Sequence, residues 1–197
     1  MDIFKTILPI ITLFLGIFLT PFIERLKRNK EQDRLFDSVK IELSDNLSSI
    51  TNDIHEIYHS ISTRILKSDG FVHLSLPLEM EFTLLNKHLS DIYPILSRDQ
   101  RRGMRVILAQ EKTINDKRDE IIDKFKKSNN ECLAIEQTLL HSYFCVYYIL
   151  NGLVNQKERY QQGKEPTKEV VKKAAQALEL SYPIDVFAAQ KYLNKIN

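Results

Sequence analysis

His55, Glu56 and His59 form the pattern His-Glu-x-x-His, with Ile57 and Tyr58 between them. On a helix, residues four apart share a face, so the two imidazoles can hold one Zn²⁺ while the glutamate works as general base. A hydrolytic zinc needs a third protein ligand. Glu79 and Glu81 lie downstream, and Glu79 follows His59 by 20 positions. The set this spacing defines is His55, His59 and Glu79 as ligands with Glu56 as the base.

This arrangement resembles the thermolysin-like gluzincin metallopeptidases, in which a glutamate on a following helix completes the site. The resemblance covers about 25 residues and implies a zinc peptidase. The residues around the motif point elsewhere. Asp53 is charged where that family's extended motif is not. No strand is evident to align a peptide. At 100° per residue, the apolar stripe from Val39 to Ile65 points one way, and His55 and His59 point about 115° and 155° from it. A catalytic zinc wants a shaped, partly dry cavity, and neither Ile57 nor Tyr58 creates an apolar stripe on that side. Two solvated histidines and no cofactor are the expectation. His73, His88 and His141 show no ligand spacing.

A second cluster is Arg98, Arg101, Arg102 and Arg105, at the start of an expected helix. The dipole disfavours cations there, so the cluster is a candidate patch for an anion or an acidic partner. The bland alternative is a solvated face offset by Asp99 and Glu111. The arginine-then-histidine spacing of the helical HEPN ribonucleases is absent, as are a Gly-rich phosphate loop and a Gly-flanked serine nucleophile.

The elements that must carry these residues begin with an apolar run. Ile7 to Ile23 contains no charge, and Arg25, Lys27, Arg28 and Lys30 follow it. A helix over residues 3–23 covers about 31 Å, enough for a hydrocarbon core. Lys5 lies near the end and can snorkel. The basic downstream flank puts Met1 outside and Arg25 onward in the cytoplasm, with the four cations at lipid headgroups. A signal peptide would need a cleavage site, and an interfacial helix would need a polar face; neither is present. Thr12, Gly16 and Thr20 line one face and define a candidate surface for self-association in the membrane.

The rest of the chain reads as one helical domain. Of its 197 residues only 5 are Gly and 6 Pro, which suits long helices. Basic and acidic residues number 28 and 26, so no global field calls for nucleic acid. Cys132 and Cys145 on one helix lie about 20 Å apart, too far to bridge, which fits a reducing compartment.

Phe36, Val39, Leu43, Leu47, Ile50, Ile54, Ile57, Ile61 and Ile65 recur at steps of three and four and predict a helix over 30–67, able to continue from the apolar run as one rod. Ser68-Asp69-Gly70 is read as its end, and residues 71–76 as a loop. Pro77 is expected to open a helix carrying Leu78, Phe82, Leu85, Leu89 and Ile92, broken by Pro94. Ser97 to Gln100 reads as a capping box for a helix carrying Met104, Ile107, Leu108, Ile114, Ile121, Ile122 and Phe125. Ser128 to Glu131 is another. The helix behind it, apolar over Leu139 to Val154, is too short in clean apolar length for a second span and reads as a central bundle helix. Two short helices follow, near 166–180 and 183–195.

The expectation is an all-α chain. A single transmembrane helix with its basic flank occupies 1–29, and a cytoplasmic bundle of about five or six helices occupies 30–197. The function expected first is a non-enzymatic interaction module, a scaffold, sensor or effector subunit, tethered to the inner or plasma membrane. The alternatives are the zinc peptidase above and a membrane-perturbing effector that oligomerises through Thr12, Gly16 and Thr20. The expected partners are the lipid bilayer and either a second copy or another protein.

Overall fold

The computed structural model describes the backbone of residues 3–67, 76–124, 129–156, 159–163 and 165–197, with side chains described from Phe14 onward and not at residue 129. Among these residues the chain is all-helical, with six α-helices and no strand: α1 (Ile3–Leu66), α2 (Thr83–Ile92), α3 (Arg98–Lys124), α4 (Asn129–Gln156), α5 (Thr167–Ala177) and α6 (Val186–Ile196), plus a 3₁₀ turn at Tyr93–Ile95.

The 64-residue α1 is one rod. Its lower half carries the apolar stripe: Val39, Leu43, Ile50, Ile54, Ile57 and Ile61 are at most 3 % exposed. Burial of each stabilises the bundle by roughly 1.5–3 kcal/mol. The α4 helix is the hub and packs against α1, α3 and α5. It buries Leu139, Leu140, Tyr143, Phe144, Val146 and Leu150. Its apolar breadth comes from touching neighbours on several sides, as expected of a central helix. Cys132 and Cys145 both sit on it as free thiols.

The pairings fix direction. Leu84 and Leu85 at the start of α2 reach Glu42, and Asp91 near its end reaches Gln32, so α2 runs antiparallel to α1. Arg64 near the end of α1 meets Glu136 near the start of α4, so that pair is antiparallel too. α3 then runs in the same sense as α1. The tight turn between α2 and α3 therefore lies at the end of the bundle from which the upper α1 projects.

The helix expected to open at Pro77 starts instead at Thr83; residues 76–82 are not helical. The reason is long-range hydrogen bonding. Met80 N–H donates to Asn115 Oδ1 at 3.0 Å, and Asn115 Nδ2 returns a bond to the Met80 carbonyl at 2.9 Å. Phe82 N–H donates to Glu111 at 3.3 Å, and Arg118 Nε donates to the Pro77 carbonyl at 3.0 Å. Three side chains of α3 thus take up backbone groups of Pro77, Met80 and Phe82 in place of a helical ladder. Phe82 precedes α2 without a capping side chain. The Glu42 carboxylate supplies the cap from α1, accepting from Leu84 N–H and Leu85 N–H at 2.7 Å each. We expect Glu42→Ala to destabilise the bundle by about 1–2 kcal/mol, as loss of an N-cap does. Thermal melts should show Glu42→Gln recovering part of this; equal midpoints for Ala and wild type would remove the cap.

The capping box at Ser97 is present: Ser97 N–H donates to Gln100 Oε1 at 2.8 Å, and Gln100 N–H donates to Ser97 Oγ at 3.2 Å. On α3, Met104, Ile107, Ile114 and Ile121 are buried, whereas Ile122, expected inside, is 49 % exposed. The next position along a helix turns by 100°, which takes Ile122 off the face Ile121 occupies. The expected helix end at Ser68–Gly70, the loop from 71, His73, Phe125 and the capping box beginning at Ser128 lie outside the described residues.

Candidate functional site

The zinc motif sits on α1, and its two histidines have different surroundings. His59 and Glu56 are exposed. His55 is half-buried beneath α6, its ring stacked on Tyr192 with centroids 6.4 Å apart. The Tyr192 hydroxyl donates to the His55 carbonyl at 3.2 Å. Burial, then the nearby Lys195 charge, hold the His55 imidazole below its ordinary range. Tyr58 is buried, meets Tyr192 edge-on at 4.6 Å and donates its hydroxyl to the Ser181 carbonyl at 2.9 Å. The side of α1 read as solvated at His55 is therefore partly a second packing face, built by Tyr58, Tyr192 and α6. It corrects the view that Tyr58 makes no apolar surface there. Glu79 is exposed and lines a shallow cleft with Glu81, Lys87, Glu111 and Asn115. Among the described residues no three His, Cys, Asp or Glu side chains are grouped to hold a metal ion, so His55, His59 and Glu79 do not form such a set.

Asp53, two positions before the motif, has a carboxyl pushed up to about 6 from 3.8, by burial first and by the charge of Glu56 second. A raised folded-state value means the folded chain holds this proton more tightly than the unfolded chain. Stability from this group is fully present below the unfolded value and is lost as pH rises through about 6. Asp53→Asn should therefore stabilise the bundle at pH 7.5 and not at pH 4. The side chain is half in water, so screening reduces the gain to about 1 kcal/mol. Melting midpoints at the two pH values check this; an equal shift at both would contradict it.

The described part of upper α1 has a different character. Phe14, Leu15, Ile17, Phe18, Leu19, Phe22, Ile23 and Leu26 are all exposed, Phe18 by 74 %. They cover the helix on every side. Monomeric soluble proteins rarely leave a contiguous apolar surface of this kind uncovered. Gly16 has no atom within 4 Å of where a Cβ would stand, so its face is open. Thr20 Oγ1 donates to the Gly16 carbonyl at 2.7 Å, and the side chain of Thr12 lies outside the described residues. Arg25, Lys27, Arg28 and Lys30 follow, all exposed. Among the described residues no helix is long and apolar enough to cross a membrane. The described apolar side chains begin at Phe14, and Phe14 to Ile23 covers about 15 Å of helix.

The arginine cluster lies at the bundle end nearest this rod. Arg98, Arg102 and Arg105 are exposed. Arg101 Nε donates to the Leu96 carbonyl at 2.9 Å, and its guanidinium stacks on Tyr93 at 4.6 Å, with Arg105 at 5.0 Å. Part of the cluster is therefore structural, which the sequence alone did not indicate. Beside it, α1, α3 and the end of α4 line an open-sided groove of about 840 Å³. Phe36, Leu43, Met104 and Leu153 form its apolar walls, with Lys40 and Arg159 at the polar edge.

Buried between α1 and α4 is a feature with no signal in the sequence pattern. Arg64 and Glu136 form an ion pair at 2.9 Å, with side chains 3 % and 0 % exposed. Arg64 Nε bonds the second oxygen at 3.0 Å, and Ser60 Oγ donates to the first at 3.1 Å. Two helices are clamped by a bidentate pair.

No protein-family model, curated protein or solved structure matches the chain significantly.

Proposed function

We propose that this chain is a membrane-tethered, non-enzymatic interaction module. Residues 1–29 are the anchor and its basic flank, and residues 30–197 are a helical bundle held on the cytoplasmic side of an inner or plasma membrane. The observation that carries this reading is the exposed apolar surface from Phe14 to Ile23, on the same unbroken helix whose lower half carries the buried stripe. Upstream of it, Ile7 to Leu13 adds a further uncharged stretch. The uncharged run followed by four cations matches an anchor whose downstream end stays inside. In this reading α1 is a rigid lever: its lower half is core, so a change of tilt in the bilayer moves the bundle as a body. The partner is a second copy or another protein. The small-residue face of Gly16 and Thr20, with Thr12, is where a second rod would pack.

Fractionation of cells expressing the full chain tests the anchor. The protein should stay with membranes through an alkaline carbonate wash, and the double variant Ile17→Arg, Phe18→Arg should shift it to the soluble fraction. Each arginine at mid-helix depth costs about 2.5–3.5 kcal/mol on an insertion scale. A full-length wild-type chain that is monodisperse without detergent would end this reading.

A further inference from the structure

We infer that the arginines opening α3 dock the near end of the bundle on anionic headgroups of the same bilayer that holds α1. The inference rests on the membrane reading above. It commits to one partner, a negatively charged lipid surface.

Placement is the first argument. Asp91 meets Gln32, so the turn after α2 sits level with that part of α1. Asn46 donates to the Glu81 carbonyl at 3.2 Å, and Glu111 and Asn115 hold Phe82 and Met80, so residues 111–115 of α3 lie near the level of Asn46. Arg98 is more than a dozen residues earlier, about 20 Å closer to the rod. From Ile23, the last apolar residue before the cations, to Gln32 is about 14 Å of helix. Headgroups fill about 6 Å of that distance. The remaining gap is about one Debye length at physiological salt, and ordinary tilt of a spanning helix shortens it.

Charge is the second. Residues 24–37 and 91–105 with Arg159 hold ten basic against six acidic residues, which leaves eighteen basic against twenty acidic in the rest of the chain. Two of the six acids, Glu31 and Asp37, are paired with Arg34 and Lys40. Glu24, Asp33, Asp91 and Asp99 are the others facing this end. Among the described residues no carboxylate pairs with Arg98, Arg102 or Arg105. These three lie at i, i+4 and i+7 and share a face. The capping box uses the amide of Gln100, so attraction here belongs to the guanidinium groups. Arg98, in the first turn of α3, sits at the positive end of the helix dipole, where a cation works against helix stability and an anionic surface offsets that. A cytoplasmic leaflet supplies such a surface next to a tethered chain.

The chain has no tryptophan. Ile95→Trp, at a partly exposed site beside the cluster, is therefore a lone donor for energy transfer to a dansyl-headgroup lipid. The full chain is placed in lipid nanodiscs, either zwitterionic or with about one third anionic lipid. Transfer should rise in the anionic discs, and 1 M salt should remove the rise. Arg98→Gln, Arg102→Gln and Arg105→Gln together should also remove it with helicity unchanged, each substitution lowering the docked-to-undocked ratio about fivefold. Equal transfer in the two lipid compositions, with the chain still incorporated, overturns the docking and leaves the anchor standing; it is also the result if the patch serves a nucleic acid or an acidic protein. A chain that does not incorporate overturns both.

Discussion

Glu136→Ala is expected to lower bundle stability by about 3–5 kcal/mol, the cost of leaving one charge of a buried pair alone. Arg64 is 3 % exposed and Glu136 fully buried, so water cannot take the place of the lost carboxylate. Ser60 also loses its acceptor. In a domain of this size the melting midpoint should fall by about 10 °C or more. The paired change Arg64→Met with Glu136→Leu should recover most of the loss, because apolar residues of similar volume substitute well for a buried ion pair. Melts of the two variants, followed by circular dichroism in mild detergent, give the answer. A midpoint unchanged in Glu136→Ala would mean that Arg64 reaches solvent.

Phe82→Ala should cost a similar amount, about 3–5 kcal/mol. Phe82 is fully buried and stands where the extended segment turns into α2. Its ring anchors a backbone whose amide and carbonyl groups depend on Asn115, Glu111 and Arg118. Loss of the ring leaves a cavity and frees that segment, so hydrogen exchange should accelerate at Met80, Leu84 and Leu85, the amides held by α3 and by Glu42. Phe82→Leu should lose much less. Equal exchange in wild type and Phe82→Ala would show that the segment is held without its anchor.

These two sites mark where sequence reading stops. The stripe of α1, the break at Pro94 and the capping box at Ser97 are local signals, and each has the structure its spacing implies. The central position of α4 is legible in its apolar breadth. The start of α2 is not legible, because the groups that replace a helical ladder at residues 76–82 come from α3, and the cap comes from Glu42 some forty positions away. The partial burial of His55 is not legible either, since Tyr192 approaches it from the far end of the chain. Arg64 and Glu136 look like ordinary surface charges until α1 and α4 are paired. The His-Glu-x-x-His pattern shows the converse. Its spacing is correct for zinc, but its first histidine serves as a shelf for a tyrosine and its second faces solvent.

The central claim is that the upper part of α1 lies in lipid while the bundle does not. Single tryptophans read depth directly in this tryptophan-free chain. Phe14→Trp, Phe18→Trp and Phe22→Trp in bilayers carrying bromine on the acyl chains should be strongly quenched, with emission shifted to the blue. Phe187→Trp, at an exposed site on α6, should stay red-shifted and unquenched. Equal, weak quenching at all four positions would contradict the account.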